Sequence, residues 1–347
     1  MADYKEIKGQ TILEVSSDPP EAIKGDIWYN NTSKALKGRR ITPDTWSTGG
    51  TIPVSIRNMN VVGTQTATLL YGGSKAPVAL GGAPSPPNYS LATASYNGTS
   101  WTALNDKNNP TTYSGGGGTS TSAISAGGFS EVPSNGDTAV AETWNGTNWT
   151  TTTSLPISIR GYDSTFATSN TSALFTSGDE PTQYVQSWNG STWTAANNFS
   201  NNRKYMAVAG TETAGLLIAG GPGPAGAYQT GNESYNGTNW TTEANKNIAI
   251  RAHGSGGTST SALSMAGNDT QSINNSAGDD VEAWNGTSWT IRSKNLEART
   301  YLSGVGSGST EGMIAGGDPA SASTTDSVEE YSETVGGDSN FTIKDIT

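Results

Sequence analysis

The chain has 347 residues, 44 of them glycine, with no cysteine, a single histidine and a formal charge of -11. The missing cysteine excludes disulfide staples, thiol nucleophiles and thiolate metal sites, and 33% hydrophobic content leaves little material for large apolar cores. An acidic balance, with a sequence pI near 4.6, argues against a general nucleic-acid or anionic-membrane binder. Met1 to Gly9 lacks the apolar core of a signal peptide, and the longest apolar run, near Leu216 to Ala219, is too short to span a bilayer. The expectation is a protein made in a cytoplasm and not inserted in a membrane.

Residues 1–45 differ in texture from the rest. Asp18-Pro19-Pro20 breaks the chain, and Gly25 to Lys37 reads as two short strands around a polar turn, an N-terminal hairpin module. Lys34, Lys37, Arg39 and Arg40 beside that turn read as a solvated face.

From Trp46 onward one sentence is written five times. Tyr96-Asn97-Gly98-Thr99-Ser100-Trp101-Thr102 returns as Trp144–Thr150, Trp188–Thr194, Tyr235–Thr241 and Trp284–Thr290. An Asn-Gly pair between β-prone runs predicts a tight hairpin of type I′, with positive φ at both residues. Ten or eleven residues after Trp46, Trp101, Trp149, Trp193, Trp240 and Trp289 stand Arg57, Thr112, Arg160, Arg203, Arg251 and Arg299. About sixteen residues further on comes a small pair, such as Gly72-Gly73 or Gly220-Gly221, preceded by an apolar run. The Trp marks recur every 44 to 55 residues, and a four-stranded unit with a double glycine at that period is kelch arithmetic.

The pattern predicts an all-β fold, a six-bladed kelch-like β-propeller over residues 46–335, with a tail at 336–347. In each unit the first strand is expected to start at the Arg, the second to end at the small pair, the third to end at the aromatic, and the fourth to begin at the Trp. The sixth unit lacks its Trp sentence, so the segment around Trp46 is expected to complete it. Asn340 to Lys344 is the rival.

Two residues before each aromatic stand Ala94, Glu142, Gln186, Glu233, Glu282 and Glu329. Matching each with the next unit's mark predicts the inter-blade pairs Glu142–Arg160, Gln186–Arg203, Glu233–Arg251, Glu282–Arg299 and Glu329–Arg57, because a buried charge is tolerated mainly when paired. His253 falls on the repeat position of Met59, Tyr162, Tyr205 and Tyr301 and reads as a packing residue, which leaves no catalytic residue in view. The five Asn-Gly-Thr/Ser tripeptides read as turns rather than glycosylation sites. Asn268 to Asp280 is oxygen-rich but lacks EF-hand spacing and reads as a solvated loop, so neither metal nor cofactor is expected.

The second-to-third loops vary where the rest repeats, and specificity can be written there without disturbing the scaffold. Candidate ligand residues on that rim are Tyr89, Asp137, Tyr184, Tyr228 and Asp280, a surface suited to stacking on and hydrogen-bonding a sugar.

The chain resembles kelch-type propellers and, more narrowly, the propeller proteins of tailed-phage virions, notably of marine phages. The resemblance rests on Gly25 to Asn30 followed by Leu36-Lys37, on Trp46-Ser47-Thr48-Gly49-Gly50 and on Gly63-Thr64-Gln65-Thr66. It implies a virion protein, a tail-associated adhesin or fibre component, whose N-terminal module meets other virion proteins while the propeller attaches to a host-surface glycan. The alternatives are a glycoside hydrolase or sialidase-like enzyme, which needs converging carboxylates, and a structural or head-decoration protein without a ligand.

Overall fold

A computed structural model describes residues 6–7, 10–17, 27–39, 44–75, 89–130, 136–161, 165–177, 183–221, 228–269, 277–320, 324–333 and 340–342. All regular elements among them are strands, so none is a helix long and apolar enough to cross a membrane. The chain divides into two compact units, Met1–Asp44 with Glu333–Thr347, and Thr45–Ser332.

In the smaller unit Leu13–Val15 pairs in parallel with Ile27–Asn30, which forms an antiparallel hairpin with Ala35–Arg39. The Asn30 side chain accepts from the backbone N–H groups of Thr32 and Ser33 at 3.0 and 2.9 Å and shapes the turn, while Trp28 is buried. Ala35–Arg39 takes Asn340–Thr342 on its other edge. This corrects the expected tail at 336–347 and removes its rival role in the sixth sheet: an unpaired strand edge is a template for another strand.

Among the described residues the larger unit forms antiparallel sheets I to VI, each with four main strands. Sheet I is built from Asn60–Thr64, Ala67–Tyr71, Thr93–Tyr96 and Trp101–Ala103. Sheet II uses Gly115–Thr119, Ser122–Ala126, Ala141–Trp144 and Trp149–Thr152, and sheet III Thr165–Ser169, Ser172–Ser177, Tyr184–Trp188 and Trp193–Ala195. Sheet IV uses Ala207–Thr211, Ala214–Ile218, Asn232–Tyr235 and Trp240–Glu243. Sheet V uses Gly254–Thr258, Ser261–Asp269, Ala277–Trp284 and Trp289–Ile291, extended by short outer pairings. In sheet VI, Ser303–Gly308, Glu311–Ala315 and Val328–Ser332 are joined by Thr45–Thr48 from the far end of the unit.

Each fourth strand is locked by an aromatic pair. Tyr96 faces Trp101, Trp144 faces Trp149, and Tyr331 faces Trp46 in the same register, with ring centroids 5.0, 5.5 and 5.3 Å apart. Such pairs contribute about 0.5–1.5 kcal/mol each beyond the area they bury. The Asn-Gly turns differ from the type I′ expectation: only the glycines take positive φ, +88° to +93°. The Asn side chain accounts for this. Asn97 Oδ1 accepts from the N–H groups of Thr99 and Ser100 at 3.0 and 2.9 Å, an Asx arrangement that needs no left-handed Asn.

Contacts between first strands run in a cycle through sheets I, II, III, IV, V, VI and back to I. The approach is close enough to dictate glycine. A Cβ on Gly116 would lie 2.2 Å from Asn60 Oδ1, and one on Gly256 would lie 2.2 Å from the Gly306 nitrogen. These strands begin three or more residues after the marks, not at them; before sheets I, II, IV, V and VI the backbone first turns through a left-handed residue.

Gly256→Ala meets backbone that has no room to yield and is expected to lower stability by about 1–3 kcal/mol. Gly231→Ala, whose nearest atom is the Arg203 guanidinium at 3.4 Å, should stay within about 0.5 kcal/mol. Denaturant unfolding of the two variants measures the contrast.

Candidate functional site

Between sheets the chain crosses toward the common axis. Asn58, Tyr113, Tyr205, Ala252 and Tyr301 there take left-handed φ of 50° to 54°. Backbone hydrogen bonds join them around the axis: Tyr113 N–H donates to Asn58, Gly161 to Tyr113, Ala252 to Tyr205, Tyr301 to Ala252 and Asn58 to Tyr301, at 2.9 to 3.3 Å.

These residues reveal the true register of the basic marks. Arg57, Thr112, Lys204, Arg251 and Thr300 each stand immediately before a left-handed residue, and Arg160 stands before Gly161 in the same ring. Arg203 and Arg299 stand one residue earlier. In extended backbone a step of one residue turns the side chain to the opposite face.

The expected ion pairs are corrected accordingly. Arg203 and Arg299 turn into their own sheets and pair with Glu233, at 2.7 Å, and Glu329. This replaces Gln186–Arg203, Glu282–Arg299 and Glu329–Arg57. Glu142 instead takes Lys107 at 3.6 Å, and Glu282 takes Lys246 at 2.5 Å, two lysines on the connectors that the sequence reading passed over. Each Glu also accepts a backbone N–H from the connector entering its sheet, from Asn108, Ser200, Asn247 or Leu296, at 2.6 to 2.9 Å. Burial holds the Lys107 ammonium down to about 8 even though Glu142 opposes the shift.

Arg57, Arg160 and Arg251 face the other way, toward the second-to-third loop of the preceding sheet. Arg57 pairs with Asp318, and Arg160 Nε donates to Asp137 at 2.7 Å, in place of the expected Glu142. Arg251 lies 4.7 Å over the Tyr228 ring and 5.7 Å over Tyr205, while Glu233 is held by Arg203. Arg57 and Arg160 likewise lie over Tyr301 and Tyr113, at 5.8 and 5.9 Å. The ring therefore alternates: sheets I, III and V bring an arginine, and sheets II, IV and VI bring a tyrosine.

Three of the five candidate ligand residues lie here. Asp137 is the cross-strand partner of Phe129, whose ring lies 4.6 Å beneath Arg160 and is met edge-on by Tyr89 at 5.8 Å. Tyr228 joins Arg251. Tyr184 packs edge-on against Phe175 at 6.3 Å, and burial pushes its hydroxyl up. Asp280 is buried beside Lys294 at 3.2 Å, with burial pushing its carboxyl up. Phe129 and Tyr113 went unread, although the spacing carries a signal: Arg203 and Arg299 follow their Trp by ten residues, the other marks by eleven.

Tyr113, Tyr205 and Tyr301 are half-buried, and with Asn58, Met206, Ala252, His253 and Leu302 they line a hollow of about 20 Å³. Burial, reinforced by its tyrosine neighbours, pushes Tyr301 up to about 12 and shifts Tyr113 in the same direction. His253 also lines an axial cavity of about 120 Å³ between the first strands. It is 5% exposed, neither ring nitrogen has a hydrogen-bond partner, and burial holds its pKa well below the usual range. Among the described residues no group of three or more His, Cys, Asp or Glu gathers to hold a metal ion, and residues 270–276 of the oxygen-rich segment lie outside them.

Six antiparallel sheets whose first strands meet around one axis define an all-β, propeller-like architecture. No family model matches the chain, and no curated protein matches it. Among solved structures it is similar to one described as the structure of YjhT, with a TM-score of 0.61 over 80% of this chain and 95% of that chain. Their sequences are 14% identical, and the likeness shows the fold alone.

Glu233→Ala leaves Arg203 buried without its carboxylate and is expected to cost about 3–5 kcal/mol, measured by denaturant unfolding. Burial pushes the Asp318 carboxyl up from 3.8 to about 6, although Arg57 pulls it down. The folded state thus holds this proton more tightly than the unfolded chain. Its contribution to stability is complete below about pH 4 and is lost as the pH rises through about 6. Thermal melts should show wild type losing stability relative to Asp318→Asn between about pH 4 and 7, and a flat difference would contradict the assignment.

Proposed function

We propose that the larger unit is a six-bladed kelch-like β-propeller, sealed by the Trp46 strand, and that the protein is a virion component, a tail-associated adhesin or fibre part that attaches to a host-surface glycan. One observation carries the attachment reading. Asp137, Phe129 and Tyr228 on the second-to-third loops meet arginines of the connectors entering the next sheets, Arg160, which also lies over Tyr113, and Arg251. The opposite rim repeats the same Asx turns.

The smaller unit, around the Ile27–Asn30 and Ala35–Arg39 hairpin, is the part that meets other virion proteins. The resemblance of its leader to those of phage tail fibres supports this division of labour. Glycoside hydrolysis is less well supported, because it calls for a pair of carboxylates about 5–10 Å apart serving one bond, whereas Asp137 and Asp318 are each held by an arginine.

Particles assembled with a variant lacking residues 1–43 and 334–347 are expected to lack the protein, while the purified variant still binds host cells. Incorporation, followed by immunolabelling of particles, and cell binding, followed by fluorescence, separate the two roles. Incorporation of the truncated chain, or its failure to bind cells when the full chain binds, would overturn the division.

A further inference from the structure

The axial hollow has a chemistry more specific than a generic polar rim. Three tyrosines from alternate sheets form its wall, and Tyr113 connects it to the Arg160–Asp137 pair, whose side chains are 30% and 35% exposed. The equivalent Arg57–Asp318 pair is closed in, at 8% and 14%. His253 lies at the hollow with two unsatisfied ring nitrogens, and buried polar groups in folded proteins are rarely left so. A neutral imidazole offers one N–H donor and one acceptor lone pair.

Size and charge narrow the ligand. About 20 Å³ holds one water-sized group, so the hollow accepts a hydroxyl or hydroxymethyl and not a ring. The ring of the ligand would then lie outside, across the Tyr113 face. An anion is disfavoured by Asp137 beside Arg160. A cation meets Arg160. A carboxylate offers about four acceptor positions, of which Arg160 Nε takes one at 2.7 Å, so the exposed Asp137 can serve neighbouring hydroxyls of an uncharged ligand.

We propose that this mouth binds one neutral hexose unit, its ring across Tyr113, its exocyclic hydroxymethyl directed into the hollow toward His253, and its ring hydroxyls on Asp137 and Arg160. The proposal rests on the attachment reading only for where such a sugar would be met.

The test uses the full chain and methyl glycosides of glucose, galactose and mannose, set against methyl xyloside, which lacks the hydroxymethyl, and methyl glucuronide, which carries a carboxylate there. Saturation-transfer NMR and titration calorimetry are expected to show binding of at least one hexoside, with the xyloside and the glucuronide at least tenfold weaker. Tyr113→Gly removes the ring at a left-handed position that glycine adopts without backbone strain and should abolish binding, with circular dichroism checking that the variant is folded. Asp137→Asn should weaken binding at least tenfold.

The proposal fails if no hexoside binds, if the xyloside or glucuronide binds as well as the hexosides, or if Tyr113→Gly binds like wild type. A hexoside that binds the protein yet leaves particle attachment to cells unchanged would uphold the mouth and overturn the attachment reading. Attachment through a propeller that binds no hexoside would do the reverse.

Discussion

Six chain segments must reach one axis, and the space there admits backbone and little else. A chain of five backbone hydrogen bonds, running from Gly161 through Tyr113, Asn58, Tyr301 and Ala252 to Tyr205, is how they meet. It holds non-glycine residues in left-handed φ, at a cost of about 1–2 kcal/mol each, which persists only because the surrounding sheets over-determine it. Just beyond the ring, glycines such as Gly116 and Gly256 let the first strands pass at distances that a Cβ would forbid. Both features follow from the same crowding.

The ring also sorts the charges. A side chain one residue before the axial residue of its segment faces the preceding sheet's loop, and a side chain two residues before it faces its own sheet. Arg203 and Arg299 therefore satisfy Glu233 and Glu329, while Arg57 and Arg160 go to Asp318 and Asp137. Where the inward arginine is absent, a connector lysine replaces it, Lys107 for Glu142 and Lys246 for Glu282. In sheets II, IV, V and VI the repeated element is a buried carboxylate that ties the incoming connector by backbone N–H bonds, while sheets I and III carry Ala94 and Gln186 there. The cation that balances it changes from sheet to sheet. Breaking such a pair is costly because the remaining charge stays buried.

Sheet VI takes Thr45–Thr48 from one end of the larger unit and three strands from the other. The smaller unit likewise joins Ala35–Arg39 to Asn340–Thr342. Both pairings demand large loop closures, which cost entropy before any contact rewards them. The Trp46–Tyr331 contact supplies for sheet VI the same aromatic lock that local hairpins supply elsewhere.

The strand order within the sheets and the place of the Asn-Gly hairpins were legible in the sequence, because these follow from local turn chemistry and a repeated aromatic pair, whereas the pairing of Trp46 with Tyr331 was chosen over Asn340 to Lys344 only by the tertiary structure. The small pairs at the ends of the second strands were legible for the same reason. The pairing of charges was decided only by the tertiary structure. A one-residue difference, ten residues after Trp193 and Trp289 against eleven elsewhere, reverses the face of an arginine, and that spacing acquires its meaning only once the backbone turns are placed. The candidate site has the same history. Asp137 and Tyr89 were readable as variable-loop residues, but Phe129 between them and Tyr113 beside Arg160 acquire their places only when three sheets converge on the axis.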